Sequence, residues 1–166
     1  MAYPIEYLNL YDKEGNLVNE KGIRGVPSNY LKGIVIIYIE NSKGEFLIQK
    51  TSKSRGSVFA TTGGHVDYGD TFDSTIIKEV KEELGLDISN DLVKEVTSFT
   101  YDTDIQKVYY LKKDIDIKDI TVKEDEVEYV KWMSIDEIKE LIDKNEYREG
   151  NIDGFNYILE HRKDLV

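Results

Sequence analysis

The sequence predicts a mixed α/β (α+β) fold in which helices flank a β-sheet, and three observations support this class. Strand-like segments occur in pairs separated by short turns, which is typical of hairpins rather than of doubly wound parallel units. Two segments repeat apolar residues at helical spacing behind capping residues. The 166 residues, 40% of them apolar, suffice for a real core, so we predict one domain over residues 1–166.

The first predicted element is a β-hairpin at the N-terminus. Residues 5–20 have the pattern of two short strands on either side of the turn Asp12-Lys13-Glu14-Gly15. The following "GIRGVP", residues 22–27, has the glycines and proline of a loop. We therefore expect residues 1–29 to form an N-terminal hairpin extension.

The main sheet is predicted from six further strand-like segments. Residues 31–40, "LKGIVIIYIE", form a β-branched run of the buried type, and the turn "NSKG" leads into residues 45–52 as an antiparallel partner. Residues 57–66 predict a third strand that runs into a double glycine. The other three segments are residues 92–102, 106–113 and 126–133. This clustering in hairpins predicts a mixed sheet.

Three helices are predicted from capping residues and apolar periodicity. Thr71 or Asp70 can cap a helix that Gly85 ends, because glycine readily adopts the left-handed conformation found at helix C-termini. Its apolar side consists of Ile76, Ile77, Val80 and Leu84. Residues 134–144 begin with the capping box Ser134-x-x-Glu137. A last amphipathic helix is expected at about residues 152–162.

The composition limits the classes of partner. Twenty-two basic against thirty-three acidic residues give a net charge of −11, which argues against nonspecific binding to nucleic acid polymers or to anionic membranes. The chain has no cysteine, which excludes disulfides and thiolate chemistry. The N-terminus lacks a signal-peptide pattern, and the longest apolar stretch, residues 33–39, is too short to cross a bilayer. We therefore expect a cytoplasmic protein.

Three glutamates are crowded on one face of the helix predicted at 71–84. Glu79, Glu82 and Glu83 project into an arc of roughly 100°, and like charges at such spacings repel by a few tenths of a kcal/mol per pair. A hard divalent cation such as Mg²⁺ takes several oxygen ligands and would cancel this repulsion. The glycine-rich segment "TTGGHVDYGD" just before the helix offers backbone amides to anionic oxygens. The pattern therefore predicts a metal and phosphate site.

The stretch from residue 64 to residue 86 resembles the signature box of the Nudix hydrolases. That box is Gly, five residues, Glu, seven residues, then Arg-Glu-aliphatic-x-Glu-Glu-x-Gly-aliphatic. The matching positions are Gly64, Glu79, Val80, Glu82, Glu83, Gly85 and Leu86. Asp70 replaces the box glutamate and Lys78 the box arginine, and we expect these two to form an ion pair. The resemblance extends over roughly residues 30–145 and implies an α/β/α sandwich with a mixed sheet between helices.

The resemblance implies a reaction and a set of site residues. Nudix enzymes use divalent metals to hydrolyse a diphosphate linked to another moiety, X. For this chain it implies Mg²⁺ or Mn²⁺ as cofactor, Glu79, Glu82 and Glu83 as catalytic metal ligands, and the Gly64 carbonyl as a further ligand. The general base stays open between Glu83 and an acid of the distant loop, such as Glu124, Asp125 or Glu126.

The expected substrate is a small diphosphate compound, and several residues are candidates to bind it. Gly63, Gly64 and His65 belong to the glycine-rich loop, and Lys50, Lys53 and Arg55 form a small basic cluster beside it. The basic residues either bind phosphate or the X group or are ordinary surface charges. Candidates for stacking on a base are Tyr30, Tyr68, Tyr101 and Tyr110, whereas Trp132 is expected in the core. Family members are often dimers, so a homodimer is a further expectation.

Two alternatives are kept beside hydrolysis. The N-terminal extension and "GGHVDYGDT" are similar to the subgroup near isopentenyl-diphosphate isomerase, which moves a proton through a cysteine and a glutamate. Here Gly63 stands at the cysteine position, Gln106 near the glutamate and Lys32 near a metal-binding histidine, so that chemistry is not expected. The other alternative is a noncatalytic sensor that binds a nucleotide or another diphosphate with the same fold.

Overall fold

The computed structural model describes residues 4–165, and within them nine strands form one mixed β-sheet. The strands are β1 Tyr7–Tyr11, β2 Leu17–Ile23, β3 Leu31–Glu40, β4 Phe46–Thr51, β5 Phe59–Ala60, β6 Thr62–His65, β7 Lys94–Thr100, β8 Asp104–Lys112 and β9 Val127–Met133. The α-helices are α1 Phe72–Leu84, α2 Ile135–Asp143 and α3 Ile152–Leu165. Short 3₁₀ turns lie at Lys53–Arg55, Ile117–Asp119 and Glu149–Asn151.

Strand β3 is the centre of the sheet. Along one edge it pairs in parallel with β8, from Lys32 opposite Asp104 to Glu40 opposite Lys112. Along its other edge it pairs antiparallel with β1, β6 and β4 in turn. A strand with neighbours on both edges and cover on both faces needs apolar residues throughout, which explains the continuous β-branched run predicted for this segment.

The predicted pairing of residues 31–40 with 45–52 is almost absent. Only Glu40 and Phe46 pair, and beyond them β4 separates from β3 and pairs antiparallel with β9 and β5. Strand β6 occupies the edge of β3 that β4 leaves free. The turn "NSKG" is correctly placed, but its local pattern does not determine which partner each strand takes along the rest of its length.

The strand predicted over residues 57–66 is two short strands. Phe59 and Ala60 pair with β4, whereas Thr62–His65 pair with β3, and Thr61 lies at the change of partner. Thr61 is buried; its hydroxyl donates to the Ile37 carbonyl, and its N–H donates to Asn151 Oδ1 at 3.1 Å. This segment therefore bridges the opening between the diverging strands β3 and β4.

The N-terminal hairpin is present, but its second strand is longer than predicted. Strand β2 continues to Ile23, because Gly22 and Ile23 pair with Leu8 and Tyr7 of β1. The predicted loop over residues 22–27 therefore begins only after Ile23.

Helices cover both faces of the sheet, as expected for an α/β/α sandwich. On one face Ile76, Val80 and Leu84 of α1 pack with Val35, Ile37 and Ile39 of β3. On the other face Ile138 of α2 and Phe155 and Ile158 of α3 pack with Ile36 and Tyr38. The alternation of β3 side chains between the two clusters follows the two-residue period of a strand. Trp132 packs at the edge of the first cluster, as predicted.

The predicted helix caps are present and position α1. The Thr71 hydroxyl accepts the Ser74 N–H, and Gly85 ends the helix with a φ of 67°. Ser134 and Glu137 form the predicted capping box of α2. The chain after α1 also returns to this helix end, because Lys123 N–H donates to the Glu83 carbonyl at 3.1 Å. These contacts hold the loop before β9 beside the C-terminal turn of α1.

No α-helix among residues 4–165 has the length and apolar character that a membrane crossing requires.

Because β6 lies close to β3 at Gly63, we predict that a larger residue at this position destabilises the protein. A β-carbon at this residue would lie 2.2 Å from the Val35 carbonyl oxygen, and backbone atoms cannot move aside as a flexible side chain can. We expect Gly63→Ala to lower the free energy of unfolding by about 3 kcal/mol, at the upper end of overpacking costs. Urea unfolding measures this difference.

Gly150→Ala is the matched control. A β-carbon at Gly150 meets no heavy atom within 4 Å, so we expect a change of less than about 0.5 kcal/mol. Equal urea midpoints for the Gly63→Ala variant and the wild type would contradict the packing described for β6.

Candidate active site

A cleft of about 710 Å³ opens where β3 and β4 diverge. One wall is the acidic side of α1, and the floor includes the glycine strand β6 and the residues of β3 that face it. The loop before β9 and the segment before α3 close the remaining sides through Lys123, Glu126, Arg148 and Gly150. Segments that are far apart in the sequence therefore contribute to one cavity.

The three predicted glutamates all line this cleft, at different depths. Glu83 is buried, with 6% of its surface exposed, Glu79 is partly buried, and Glu82 is exposed. The apolar side of α1 packs on the sheet, and the helix geometry then directs the acidic side toward β6. Among residues 4–165, no salt bridge reaches any of these three carboxylates.

Glu83 is a buried acid without a full set of partners. Burial raises its pKa to about 8, and the negative charges of Glu79 and Glu126 act in the same direction. Gln49 and the Gly63 backbone lie against the carboxyl group and partly oppose this rise. Within the described residues, Glu83 Oε2 has no hydrogen-bond partner although it is closed to solvent. A buried, unpaired carboxylate oxygen is costly and points to a missing positive partner.

Glu79 lies directly against the glycine strand. A β-carbon at Gly64 would be 2.5 Å from Glu79 Cδ, so a side chain at residue 64 would displace the Glu79 carboxyl group from its present position. Burial, followed by the charge of Glu82, raises the Glu79 pKa to about 7. Two neighbouring acids with raised pKa values show that the protein holds carboxylates where their charge is poorly compensated.

The donor set of the cleft fits a divalent cation. Carboxylate and carbonyl oxygens are the ligands that Mg²⁺ and similar hard ions take. No three His, Cys, Asp or Glu side chains in the described part of the chain are already grouped closely enough to hold an ion. Convergence of carboxylates without a cation would increase their repulsion, which is a physical reason for this separation. The oxygen ligands of the cleft therefore suit such an ion chemically, but in this structure they are not close enough together to form a complete binding site.

Cationic groups also line the cleft. Arg55 and Lys123 contact Glu126 at 2.6 Å and 3.2 Å, respectively. The Arg148 guanidinium donates to the Arg55 carbonyl oxygen at 3.0 Å. Burial lowers the pKa of Arg148, whereas the negative charge of Glu83 opposes that shift. The cleft therefore has both an acidic wall and partly buried arginines, an arrangement that suits a metal-bound phosphate ester.

The predicted ion pair between Asp70 and Lys78 is confirmed. Lys78 Nζ lies 2.7 Å from Asp70 Oδ2 and also 2.8 Å from Asp67 Oδ2. Partial burial would lower the Lys78 pKa, but the hydrogen bonds to both aspartates raise it well above its usual value. The two acids therefore connect the loop after β6 to α1 immediately before Glu79.

The predicted substrate residues are not all brought together. Arg55, Gly63, Gly64 and His65 line the cleft, and burial lowers the pKa of His65. Lys50 is not among the cleft-lining residues of the described part of the chain. Its neighbours Gln49 and Thr51 line the cleft, and because side chains alternate along a strand, Lys50 points to the other face. The Lys50 ammonium lies 4.6 Å from the centre of the Phe59 ring instead. This position does not support the predicted role of Lys50.

The tyrosines predicted to stack on a base also lie elsewhere. Tyr110 is buried in the core and donates to Glu40, so its prediction as a stacking residue is wrong. Tyr101 donates to Asp153, and Tyr30 and Tyr68 lie outside the cleft lining. The tyrosine that does line the cleft is Tyr7, from the N-terminal hairpin.

Sequence reasoning did not identify several cleft residues, among them Gln49 and Arg148, and could not separate the loop acids. No local motif distinguishes these two from other polar residues of strands and loops, and Gln106 was noted only for its place near the isomerase glutamate. Alternation on β4 is the one signal that would have favoured Gln49 over Lys50. Of the three loop acids, Glu126 lines the cleft, whereas Glu124 is exposed outside it.

Comparison with known proteins agrees with this geometry. The NUDIX domain family model matches residues 30–152. The chain is 26% identical over 149 residues to an uncharacterised Nudix hydrolase of Listeria innocua, which covers 86% of this chain and 88% of the relative. It also resembles the crystal structure of a Deinococcus radiodurans protein with a TM-score of 0.75 and 22% identity, over 89% of this chain and 94% of the other.

A further similar structure is that of an enzyme with a named activity. It is a bifunctional NMN adenylyltransferase/ADP ribose pyrophosphatase from Francisella tularensis, similar with a TM-score of 0.63 and 20% identity. The match covers 81% of this chain and 42% of that protein. At these identities the structural matches establish the fold, and the family model, which spans most of the chain, establishes the family. The chain belongs to the NUDIX domain family of hydrolases.

Proposed function

We propose that this protein is a metal-dependent pyrophosphohydrolase that cleaves the diphosphate linkage between a nucleoside and a moiety X, with water attacking phosphorus. The observation that carries the proposal is Glu83, a buried carboxylate whose Oε2 has no partner, beside Glu79 in a cleft that also contains arginines. Folding alone gives no reason to bury such a charge, whereas binding a cation to it does.

The residues of the chain would divide the work as follows. Glu79, Glu82 and Glu83, with the Gly64 carbonyl, would hold Mg²⁺ or Mn²⁺. Such an ion, when bound, neutralises the diphosphate and lowers the pKa of water so that it becomes a nucleophile near neutral pH. Arg55 and Arg148 are placed to bind phosphate oxygens, and their planar guanidinium groups suit such contacts.

Two acids remain as candidates for the proton acceptor. Glu83 is buried in the cleft beside Glu79, and Glu126 lies in the cleft between Arg55 and Lys123. Glu124 does not line the cleft, so we leave it out of the proposal. Glu126 forms ion pairs with Arg55 and Lys123, so we propose that its role is to position Arg55. We propose that one of the glutamates of the Nudix box accepts the proton from water.

The isomerase alternative finds no support at Gly63. The subgroup that the sequence resembles uses a cysteine at this position, and here a β-carbon would lie 2.2 Å from the Val35 carbonyl oxygen. A side chain of any kind is therefore incompatible with this backbone. Hydrolysis needs no residue at this position beyond the backbone itself.

The first prediction concerns Glu83→Gln. We expect loss of hydrolysis, measured as release of phosphate or nucleoside monophosphate from a panel of nucleoside diphosphate and triphosphate derivatives with Mg²⁺ or Mn²⁺. Glu124→Gln, an exposed acid outside the cleft, should keep wild-type activity. Turnover by the Glu83→Gln protein at the wild-type rate would contradict the proposal. Binding without product in the wild type would favour the sensor alternative.

The same variant should be more stable without metal. An acid whose pKa is raised by burial from 4.5 to about 8 destabilises the folded protein progressively as the pH rises through that range. Above it, we expect Glu83→Gln to raise the free energy of unfolding in EDTA by about 2 kcal/mol. Urea unfolding at two pH values, one below the range and one above it, provides the check. An equal effect at both pH values would disagree with a buried charge.

Divalent metal should stabilise the wild type but not this variant. A ligand that binds only the folded state at 100 times its Kd adds about 2.7 kcal/mol of stability. We therefore expect Mg²⁺ to raise the melting temperature of the wild type and to leave that of Glu83→Gln nearly unchanged. Equal shifts in both proteins would place the cation elsewhere.

Arg148 gives a prediction about phosphate binding. Arg148→Ala should raise KM about tenfold, because a charge-assisted hydrogen bond to phosphate is lost. Lys131→Ala, which removes a cation from the exposed part of β9, should leave KM unchanged. Steady-state kinetics on the best substrate of the panel distinguishes these outcomes. An unchanged KM in Arg148→Ala would remove this arginine from the site.

A further inference from the structure

Gln106 is the second buried polar residue in the cleft with an unused hydrogen-bonding atom. It lies on β8, lines the cleft and is only 3% exposed. Its Nε2 donates to the Gly150 carbonyl at 2.8 Å, which also fixes the amide orientation, because the reverse would set two oxygens against each other. Within the described residues, Gln106 Oε1 has no partner.

The neighbours of Gln106 do not satisfy this oxygen. In the sheet, Gln106 pairs with Ile34 of β3 on one side and with Phe99 of β7 on the other, and neither side chain can donate a hydrogen bond. The cleft is the remaining side from which a donor can approach. A buried acceptor left unpaired destabilises the folded protein, so a ligand that supplies a donor would recover this loss.

The surroundings of Gln106 also restrict the kind of donor. Ile34, the sheet neighbour of Gln106, forms an apolar part of the floor together with Ile36, and His65 pairs with Ile34 along its other edge. The charged residues nearby, Arg24 and Glu6, form an ion pair with each other at 2.9 Å. The acidic wall of α1, by contrast, belongs to the part of the cleft assigned to metal. An apolar floor with one neutral acceptor suits an uncharged group that presents an N–H or O–H.

We propose that Gln106 selects the moiety X by accepting a hydrogen bond from a neutral N–H or O–H donor on it, while Ile34 and Ile36 support the apolar surface of that moiety. This inference rests on the proposed function, since it assigns the X end of the same cleft. Gln106 is then a specificity-determining residue. Its role is separate from the chemistry at Glu83.

The test compares substrate pairs that differ by one donor. UDP-glucose is compared with UDP-2-deoxyglucose, and ADP-ribose with the analogue that lacks the 2-hydroxyl of its terminal ribose, so that the members of each pair differ only in X. We expect the wild type to prefer the donor-bearing member of one pair by about tenfold or more in kcat/KM. The pair that shows the preference identifies which sugar presents the donor.

The variants separate recognition from folding. Gln106→Leu should abolish the preference mainly by lowering kcat/KM for the donor-bearing member, whereas Gln106→Glu, which keeps an acceptor oxygen, should retain part of it. Phe99→Leu, at the neighbouring position in the sheet, should keep the full preference. A preference that survives in Gln106→Leu, or no preference in any pair of the wild type, would overturn the inference.

Binding measurements keep this outcome distinct from failure of the proposed function. The same pairs are titrated by calorimetry into the Glu83→Gln protein and into Glu83→Gln combined with Gln106→Leu. If none of the compounds is hydrolysed by the wild type but the Kd ratio depends on Gln106, the hydrolase proposal fails and the assignment of Gln106 stands. If hydrolysis occurs and the Kd ratios do not depend on Gln106, only the assignment of Gln106 fails.

Discussion

The site depends on a close approach between a helix and a glycine strand. Glu79 lies against Gly64, where a β-carbon would displace the glutamate carboxyl group, and at Gly63 a β-carbon would meet the backbone of β3. This approach removes water from the carboxylates of Glu79 and Glu83 and raises their pKa values. The fold therefore holds two carboxylates where solvent compensates their charge poorly and a bound cation would compensate it better.

The cost of this arrangement is met by packing on the other side of the same helix. Ile76, Val80 and Leu84 are almost fully buried against β3, and both ends of the helix are capped. Burial of such side chains contributes roughly 1.5–3 kcal/mol each. The ion pairs of Lys78 with Asp67 and Asp70 then connect the helix to the loop after β6. The acidic wall is therefore held in place by contacts that do not involve the acids.

The divergence of β3 and β4 creates the space that the acids face. The two strands pair at a single point and then separate, and a short segment around Thr61 bridges the opening. The resulting cleft is lined both by charged residues and by Ile34, Ile36 and Gln106.

The sequence by itself determined the features that depend on local spacing. The helix, its caps, the acidic stripe and the burial of β3 follow from residues that are close together in the chain, whereas the ion pair of Asp70 with Lys78 was expected from the resemblance to the Nudix box. Only the tertiary structure decided which strands pair, that Lys50 faces away from the cleft, and that Arg148 and Gln106 enter it. Strand pairing and cleft membership result from contacts between distant segments, and an isolated arginine or glutamine has no local pattern that reveals its neighbours.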